Sequence, residues 1–400
     1  MGYGTVGSGV VEVIESHESV IKKRTGGDIL EVSHILDLRD FPDDKHQALF
    51  TKDFNDILND EEVSVVAETM GGVNPAYDFT MKLIKAGKSV VTSNKELVAQ
   101  KGLELLRAAK EHGVNYLFEA SVGGGIPIIR PMDQCLAANN IIGLAGILNG
   151  TTNFILTKMI EDGMTFEDAL KLAQDNGYAE KDPTADIEGF DACRKVCILA
   201  SLAFGKHVYP NQVATEGITN ITLEDVSYTA SVGGVIKLLG QIRYFDEDKI
   251  SAFVSPAVVF SGSQLANVNG VFNAILVRGD AVGDVCFYGP GAGKLPTASA
   301  VVADMVDAAK HTKRRKIFGW DEGSENYVVD HKAVLKNPFY VRAKASEGEI
   351  KKLFGEVKFL KRIGQPSDEV AFITDAMTEN ELKTKLENTD TINTIRVTDY

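Results

Sequence analysis

Strands and helices alternate from the start of this chain, and no other feature restricts its fold as strongly. GVVEVIESHESVIKK carries Val10, Val13, Ile14 and Val20 at helical spacing. LEVSHILDL predicts a strand, and VSVVAET is an apolar run of the kind buried on both faces. NPAYDFTMKLIKAG predicts a helix that stops at Gly87, KSVVTSN the next strand, and ELVAQKGLELLRAAKEHG a helix ending at Gly113 before VNYLFEAS. A strand-helix-strand rhythm of this kind predicts a doubly wound parallel sheet with helices on both faces.

At the head of this pattern stands Gly2-Tyr3-Gly4-Thr5-Val6-Gly7, followed at once by the first helix. The spacing is that of a dinucleotide-binding loop, which lays a pyrophosphate on the helix N-terminus. Such a loop follows a buried central strand, and here one residue precedes it. The expectation is therefore that an apolar strand of roughly five to eight residues belongs before Met1. Asp37 and Arg39 lie where the adenosine ribose would rest, and they point opposite ways. An acid there receives the ribose hydroxyls of NAD, and a base pairs with the extra phosphate of NADP.

The formal net charge of −14 argues against nucleic acid or an anionic membrane as the main partner. No apolar run of about 18 residues occurs, nor a basic segment leading into an apolar one, so a cytoplasmic protein is expected. Cys135, Cys193, Cys197 and Cys286 lack metal-ligand spacing and fit a reducing compartment. Four segments are expected: a dinucleotide-binding domain over 1–127, to which 291–312 returns; an α+β domain for substrate, catalysis and dimerisation over 128–290; a linker over 313–335; and a tail over 336–400. The tail reads β-α-β-β-α-β, a ferredoxin-like order. The basic run Lys313-Arg314-Arg315-Lys316 reads as a solvated face of the linker.

Three stretches carry chemistry. In AQDNGYAEKDPTADIEGFDACRK, Asp191 and Lys195 share one face of a helix whose start is set by Gly189. Glu180, Asp182, Asp186 and Glu188 crowd the loop before it, a density of acids suited to a cationic group such as a substrate ammonium. FEASVGGGIPIIRP places three glycines in a row, which suits a flexible loop, a hinge or a site for a hard monovalent cation. VVTSNKELVAQ sets Thr92, Ser93, Asn94 and Lys95 just past a parallel strand, where ligands of such sheets gather. A helix cap at Ser93 or Asn94 explains the polar residues equally well, but not Lys95.

Together these residues resemble homoserine dehydrogenase. Gly177, Asp182-Pro183, Asp186, Gly189, Asp191 and Lys195 fall in register with that family's signature, and VVAETMGG, VTSNK, FEASVGGGIPII, LNGTTNFIL and GPGAGKLPTASAV follow in family order. The resemblance runs from Met1 to about Lys310 and implies interconversion of L-aspartate 4-semialdehyde and L-homoserine with NADPH or NADH, on the branch toward threonine and methionine. It implies Lys195 as proton donor to the aldehyde oxygen, Glu180 and Asp191 as substrate ligands, and Lys95 beside the nicotinamide, with Thr92 and Ser93 nearby. Gly2, Gly4, Thr5, Val6, Gly7, Arg39, Gly177 and Gly291 would touch the cofactor. Glu119, Val122, Gly124 and Ile126 would hold a sodium ion, three of them through main-chain oxygens, and the assembly would be a homodimer or homotetramer. The tail is similar to an ACT domain, yet its turn reads Ser346-Glu347-Gly348-Glu349 in place of the usual Asp-x-x-Gly, so threonine feedback is not expected. Another NAD(P)-dependent semialdehyde or amino-acid dehydrogenase, or a cofactor-binding sensor, are the competing readings. A phosphorylating aldehyde dehydrogenase would need a cysteine nucleophile in a suitable loop, and a sensor would not need Glu180, Asp191 and Lys195 together.

Overall fold

The computed structural model describes every residue except 28, 247–248, 312–315 and 317–318, so Lys313, Arg314 and Arg315 of the basic run lie outside the described residues. The chain divides into two compact units. One comprises Met1–Asn139, Cys197–Pro210 and Gly289–Gly323; the other comprises Asn140–Val196, Asn211–Tyr288 and Ser324–Tyr400.

In the first unit, β1 (Ile35–Leu36) pairs with β2 (Phe50–Thr51), and β3 (Val65–Glu68), β4 (Ser89–Thr92) and β5 (Tyr116–Leu117) form a second sheet; both sheets are parallel. Valines 65, 66, 90 and 91 suit such strands because branched side chains pack well on a pleated surface. The helix Lys95–His112 begins where Asn94 Oδ1 accepts the Leu97 N–H at 3.1 Å and ends at Gly113, whose φ of 71° lets the chain turn away. Met1 and Gly2 lie between the two sheets. The Met1 ammonium donates to Ala67 O (2.8 Å), Met1 O accepts from Thr69 N (2.9 Å), and Gly2 N donates to Leu36 O (2.8 Å). Two residues thus occupy the position of a central strand, beside a cavity of about 90 Å³ lined by Val10, Ile14, Ile35, Val65, Ala67 and Met305 among others. The helices Thr5–Ser16 and Lys294–Lys310 close over the core of Val10, Ile14, Val91, Leu117, Ala298 and Val301. A side chain at Gly9 would come within 2.8 Å of Lys294 O, so glycine permits that contact.

The second unit is built on one sheet. Its strands are β6 (Ile141–Ile147), β7 (Ala214–Thr215), β8 (Gly234–Asp246), β9 (Lys249–Phe260), β10 (Phe272–Gly279), β11 (Gly283–Pro290), β12 (Phe339–Lys344), β13 (Lys358–Leu360), β14 (Glu369–Ile373) and β15 (Asp390–Val397). They run in the order β11-β10-β6-β8-β9-β15-β12-β14-β13, with β7 beside β9. The order β15-β12-β14-β13 and the helices Glu347–Phe354 and Glu379–Leu386 make the expected ferredoxin-like tail. Phe339 and Val341 face these helices, while the alternate residues Tyr340 and Arg342 bond across to Asp225 of the helix Leu223–Ala230. The tail does not stand apart from the sheet: β15 runs parallel to β9 with Arg396 opposite Ala257.

Two expectations were too long. LEVSHILDL and VNYLFEAS shrink to two-residue strands, the latter ending in the tight turn Glu119–Ser121. β8 shows no alternating pattern in the sequence, because it is buried on both faces with Lys237 and Gln241 inside.

Candidate active site

In the glycine loop each glycine has a different reason. A Cβ at Gly7 would stand 1.9 Å from Gly2 O, so the loop can close only on glycine, and Gly2 itself has a φ of +85°. A Cβ at Gly4 would meet no atom within 4 Å, and Gly4 caps the helix Thr5–Ser16 without a side-chain acceptor. The helix N-terminus is thus open at Gly4 and has no side-chain cap, which fits a pyrophosphate there. Tyr3 is fixed at both ends, its N–H on Asp37 Oδ2 (2.7 Å) and its hydroxyl on Asp44 (2.9 Å).

Asp37 is spoken for. It also accepts from Arg39 N, Nε and Nη2 at 2.8–3.0 Å, and the Arg39 guanidinium chiefly holds its carboxyl well below the usual range. Arg39 is 63% exposed and lines a surface cavity with Phe41, Gln47, Phe50 and Lys52.

At the ends of β3 and β4, Thr92 directs its hydroxyl inward to Glu68 Oε2 (2.6 Å), and Asn94 N donates back to Thr92 Oγ1. Glu68 also accepts from Met70 N (2.7 Å), and burial raises its carboxyl. Ser93 is half-buried with its N–H toward Glu68 O (3.4 Å), and Lys95 opens the following helix. A glutamate closing the apolar run VSVVAE is the sequence signal for Glu68.

Glu119 braces the turn that follows it. Its carboxylate accepts the N–H groups of Ile128, Ile129 and Arg130 at 2.6–2.9 Å, and Arg130 Nε at 3.3 Å. Asp304 holds the same turn from the Lys294–Lys310 helix, accepting Glu119 N (2.8 Å) and Arg130 Nη2 (3.0 Å). Gly124 has a φ of +54°, and a Cβ there would fall 2.4 Å from Gly291 O, so the two glycine segments meet backbone to backbone.

In the second unit the helix Phe190–Phe204 lies against β8 because Gly240 leaves room: a Cβ there would meet Val196 at 2.5 Å and Leu148 at 2.8 Å. This approach sets Lys195 Nζ 2.7 Å from Asp191 Oδ2 and 2.5 Å from Leu148 O, with both side chains almost wholly buried. Asn149, which caps the helix Gly150–Asp162 through Thr152 N (2.8 Å), donates its amide to Asp186 (2.7 Å) and Asp191 (2.9 Å). Burial, then the Asp191 charge, raises the Asp186 carboxyl. Asn149 was missed, although an asparagine before Gly-Thr-Thr at a strand's end reads as a cap.

The crowd of acids in the preceding loop is less cation-directed than its sequence suggests. Asp182 caps Thr184 (2.6 and 3.1 Å), and Glu188 reaches Thr219. Glu180 is exposed and Gly177 turns the chain with φ +73°, while Thr151 Oγ1 ties this loop down at Tyr178 O (2.7 Å).

A parallel sheet ending in an uncapped glycine turn, with a second unit presenting a buried lysine–carboxylate pair, defines an NAD(P)-dependent oxidoreductase. Family profiles for "Homoserine dehydrogenase, NAD binding domain" and "Homoserine dehydrogenase" match residues 2–119 and 127–306. The chain belongs to the homoserine dehydrogenase family. It is 47% identical over 310 residues to the homoserine dehydrogenase of Pseudomonas aeruginosa, spanning 77% of this chain and 71% of that one. The structure of a homoserine dehydrogenase from Thiobacillus denitrificans is similar over 100% of this chain and 97% of that one, with 37% identity and a TM-score of 0.88. A hyperthermophilic archaeal homoserine dehydrogenase in complex with NADPH is similar at a TM-score of 0.65 and 29% identity, covering 77% of this chain and 95% of that one. Among the described residues no helix is long and apolar enough to cross a membrane.

Proposed function

We propose that this homoserine dehydrogenase interconverts L-aspartate 4-semialdehyde and L-homoserine with Lys195 as the group that gives the proton to the carbonyl oxygen and takes it back from the hydroxyl. A bound nicotinamide supplies or accepts the hydride. The observation that carries this reading is the buried Lys195 ammonium, pinned by Asp191 Oδ2 and Leu148 O. A cation fixed in a dry site stabilises a developing alkoxide far better than one in water, and needs no reorganisation to do so. Asp191 and Glu180 bind the substrate ammonium, with Asp186 held beside Asp191 by the Asn149 amide. Lys95, Thr92 and Ser93 line the nicotinamide end, and Gly177 and Gly291 contact the cofactor.

NADPH is the preferred cofactor, because the Arg39 guanidinium, held by Asp37 through Nε and Nη2, is 63% exposed and so can meet the extra phosphate, whereas the paired Asp37 carboxylate is almost buried. A sodium ion is held by main-chain oxygens of Val122, Gly124 and Ile126, a set of hard donors, with Glu119 contributing its carbonyl rather than its carboxylate. The enzyme works in the cytoplasm, as its four free cysteines suggest, and as a homodimer or homotetramer, for which exposed Phe272, Tyr288 and Ile142 on the outer strands supply an apolar surface. The test is homoserine-dependent reduction of NADP+, followed by absorbance. Lys195→Ala lowers turnover by about 10² or more and leaves NADPH binding nearly intact. Near-normal turnover in that variant refutes the assignment.

A further inference from the structure

The last strand of the tail reaches the substrate loop through a strap of four residues. Arg396 on β15 forks onto Glu216, with Nη1 2.7 Å from Oε2 and Nη2 3.0 Å from Oε1. The same guanidinium bonds Glu379 of the tail helix and His331 Nε2 (3.2 Å), and Lys332 lies 3.1 Å from Glu216 and 3.5 Å from Glu379. His331 stacks on Phe253 at 4.3 Å, and Arg396 covers that ring at 5.5 Å. Glu216, His331 and Glu379 could by spacing hold a metal, but two cationic side chains already occupy the cluster. It is an ion-pair clasp between tail and sheet, with Arg396 only 7% exposed.

From Glu216 the strap runs directly onto the loop that leads to Lys195. Glu216 N donates to Val254 O (2.8 Å), fixing its start on β9. Gly217 lies flush on the loop: a Cβ there would stand 2.3 Å from Ile187 O and 2.7 Å from the Glu188 Cα. Ile218 N donates to Ile187 O (2.9 Å), and Thr219 Oγ1 faces Glu188 Oε1 at 3.5 Å. Gly189, with a φ of +81°, sits against Thr215 at 3.0 Å by the same measure, and the next residue begins the helix of Asp191 and Lys195. The backs of residues 187–189 therefore rest on 215–219, and the strap rests on Arg396.

We propose that Arg396 is a positioning residue for the substrate loop: its fork on Glu216 fixes the strap, the strap fixes Asp186–Asp191, and the tail thereby sets the affinity for homoserine. This rests on the reading of Asp186, Asp191 and Lys195 as the substrate site. The tail is then part of the binding machinery's support rather than a detachable receptor. A rigid contact chain of this kind changes affinity at one end when its other end is cut.

The experiment uses the full chain, with Arg396→Gln, Arg396→Lys, Glu216→Gln and the Arg396→Gln/Glu216→Gln pair, and determines KM for homoserine, KM for NADP+ and kcat. Arg396→Gln and Glu216→Gln each raise the homoserine KM about three- to tenfold. KM for NADP+ and kcat stay within about twofold, and the double variant raises the homoserine KM by less than the product of the two single effects, since the fork is lost in each. Arg396→Lys falls between, keeping the charge but losing the fork. Should Arg396→Gln fail to fold, Glu216→Gln decides alone. An unchanged homoserine KM in Glu216→Gln overturns the coupling, and so does a parallel rise of both KM values, which a merely structural contact would give. Lys195→Ala separates the two layers: loss of turnover there with an unchanged homoserine KM in Glu216→Gln removes only the coupling, whereas retained turnover removes the site reading and the coupling with it.

Discussion

Placing a short apolar strand, Lys-Ile-Ala-Val-Leu, before Met1 should stabilise the protein by an amount that depends on pH. The Met1 ammonium is fully buried, and desolvation lowers its pKa from 8.0 to about 6 against the opposing charges of Glu68 and Asp37. Between pH 8 and 6 the unfolded chain takes up a proton that the folded chain refuses. Stability therefore rises with pH through this window and is lost as the pH falls. The full loss is about 2.7 kcal/mol below pH 6 and about 1.4 kcal/mol at pH 7. An added strand moves the ammonium to solvent and leaves an amide on Ala67 O, so this cost disappears. Its side chains also fill the adjoining cavity of about 90 Å³, worth about 2 kcal/mol at roughly 24 cal/mol per Å³. The sum at pH 7 is about 3.5 kcal/mol, or a rise in melting temperature of roughly 7–14 °C at about 2–4 °C per kcal/mol. Above pH 8.5 only the cavity part remains, about 4–8 °C. A Gly-Ser extension of equal length moves the charge without filling the cavity, so it should gain at pH 6 and nothing at pH 8.5. Thermal melts of the three chains at several pH values check this. Equal melting temperatures, or a gain independent of pH, would refute the reasoning.

Gly7→Ala should cost at least about tenfold in NADPH affinity by equilibrium titration, because its methyl group would land 1.9 Å from Gly2 O and reshape the loop. Arg39→Ala should weaken NADPH severalfold more than NADH; equal losses would show that Arg39 does not read the phosphate. Asp191→Ala and Glu180→Ala should raise the homoserine KM, with the larger effect at buried Asp191 and the smaller at exposed Glu180. L-threonine should inhibit weakly or not at all in the standard assay. Ser346 and Glu349 exchange capping bonds across the turn where an effector pocket would open (2.7 and 3.3 Å), and submillimolar inhibition would contradict that.

What could be read from the residues divides along the range of the forces involved. Helix ends were legible because their causes are local: Gly87 and Gly113 stop helices in the left-handed region, and Gly189 sets the start of the Asp191 helix. The tail's four strands and two helices were legible too, each being short, with Ser346 and Thr378 as local helix caps. β8 was not, because a strand buried on both faces loses its alternation and its inward Lys237 mimics an exposed position. Lys237 is tolerated there through Val268 O (2.7 Å), Asn269 Oδ1 (3.0 Å) and Asn153 Oδ1 (3.3 Å), partners more than thirty residues away.

The candidate site shows the same division at closer range. Asp191 and Lys195 could be paired from their spacing of four, but nothing in that spacing tells a surface pair from a buried one. The difference is made by Gly240, a residue on another strand whose missing side chain lets the helix sink onto the sheet, and by Leu148, whose carbonyl receives the ammonium. Asp182 misled in the opposite direction, since an acid two residues before Thr184 serves a cap as readily as a ligand. Glu119 is the sharper case: its position in the glycine-rich turn does not reveal that the three N–H groups of residues 128–130 bond its carboxylate. A carboxylate in a buried turn goes to whichever donors cannot otherwise be satisfied, and buried backbone N–H groups have no water to fall back on. That competition is decided by the folded backbone, which is why the residue type was readable and its partner was not.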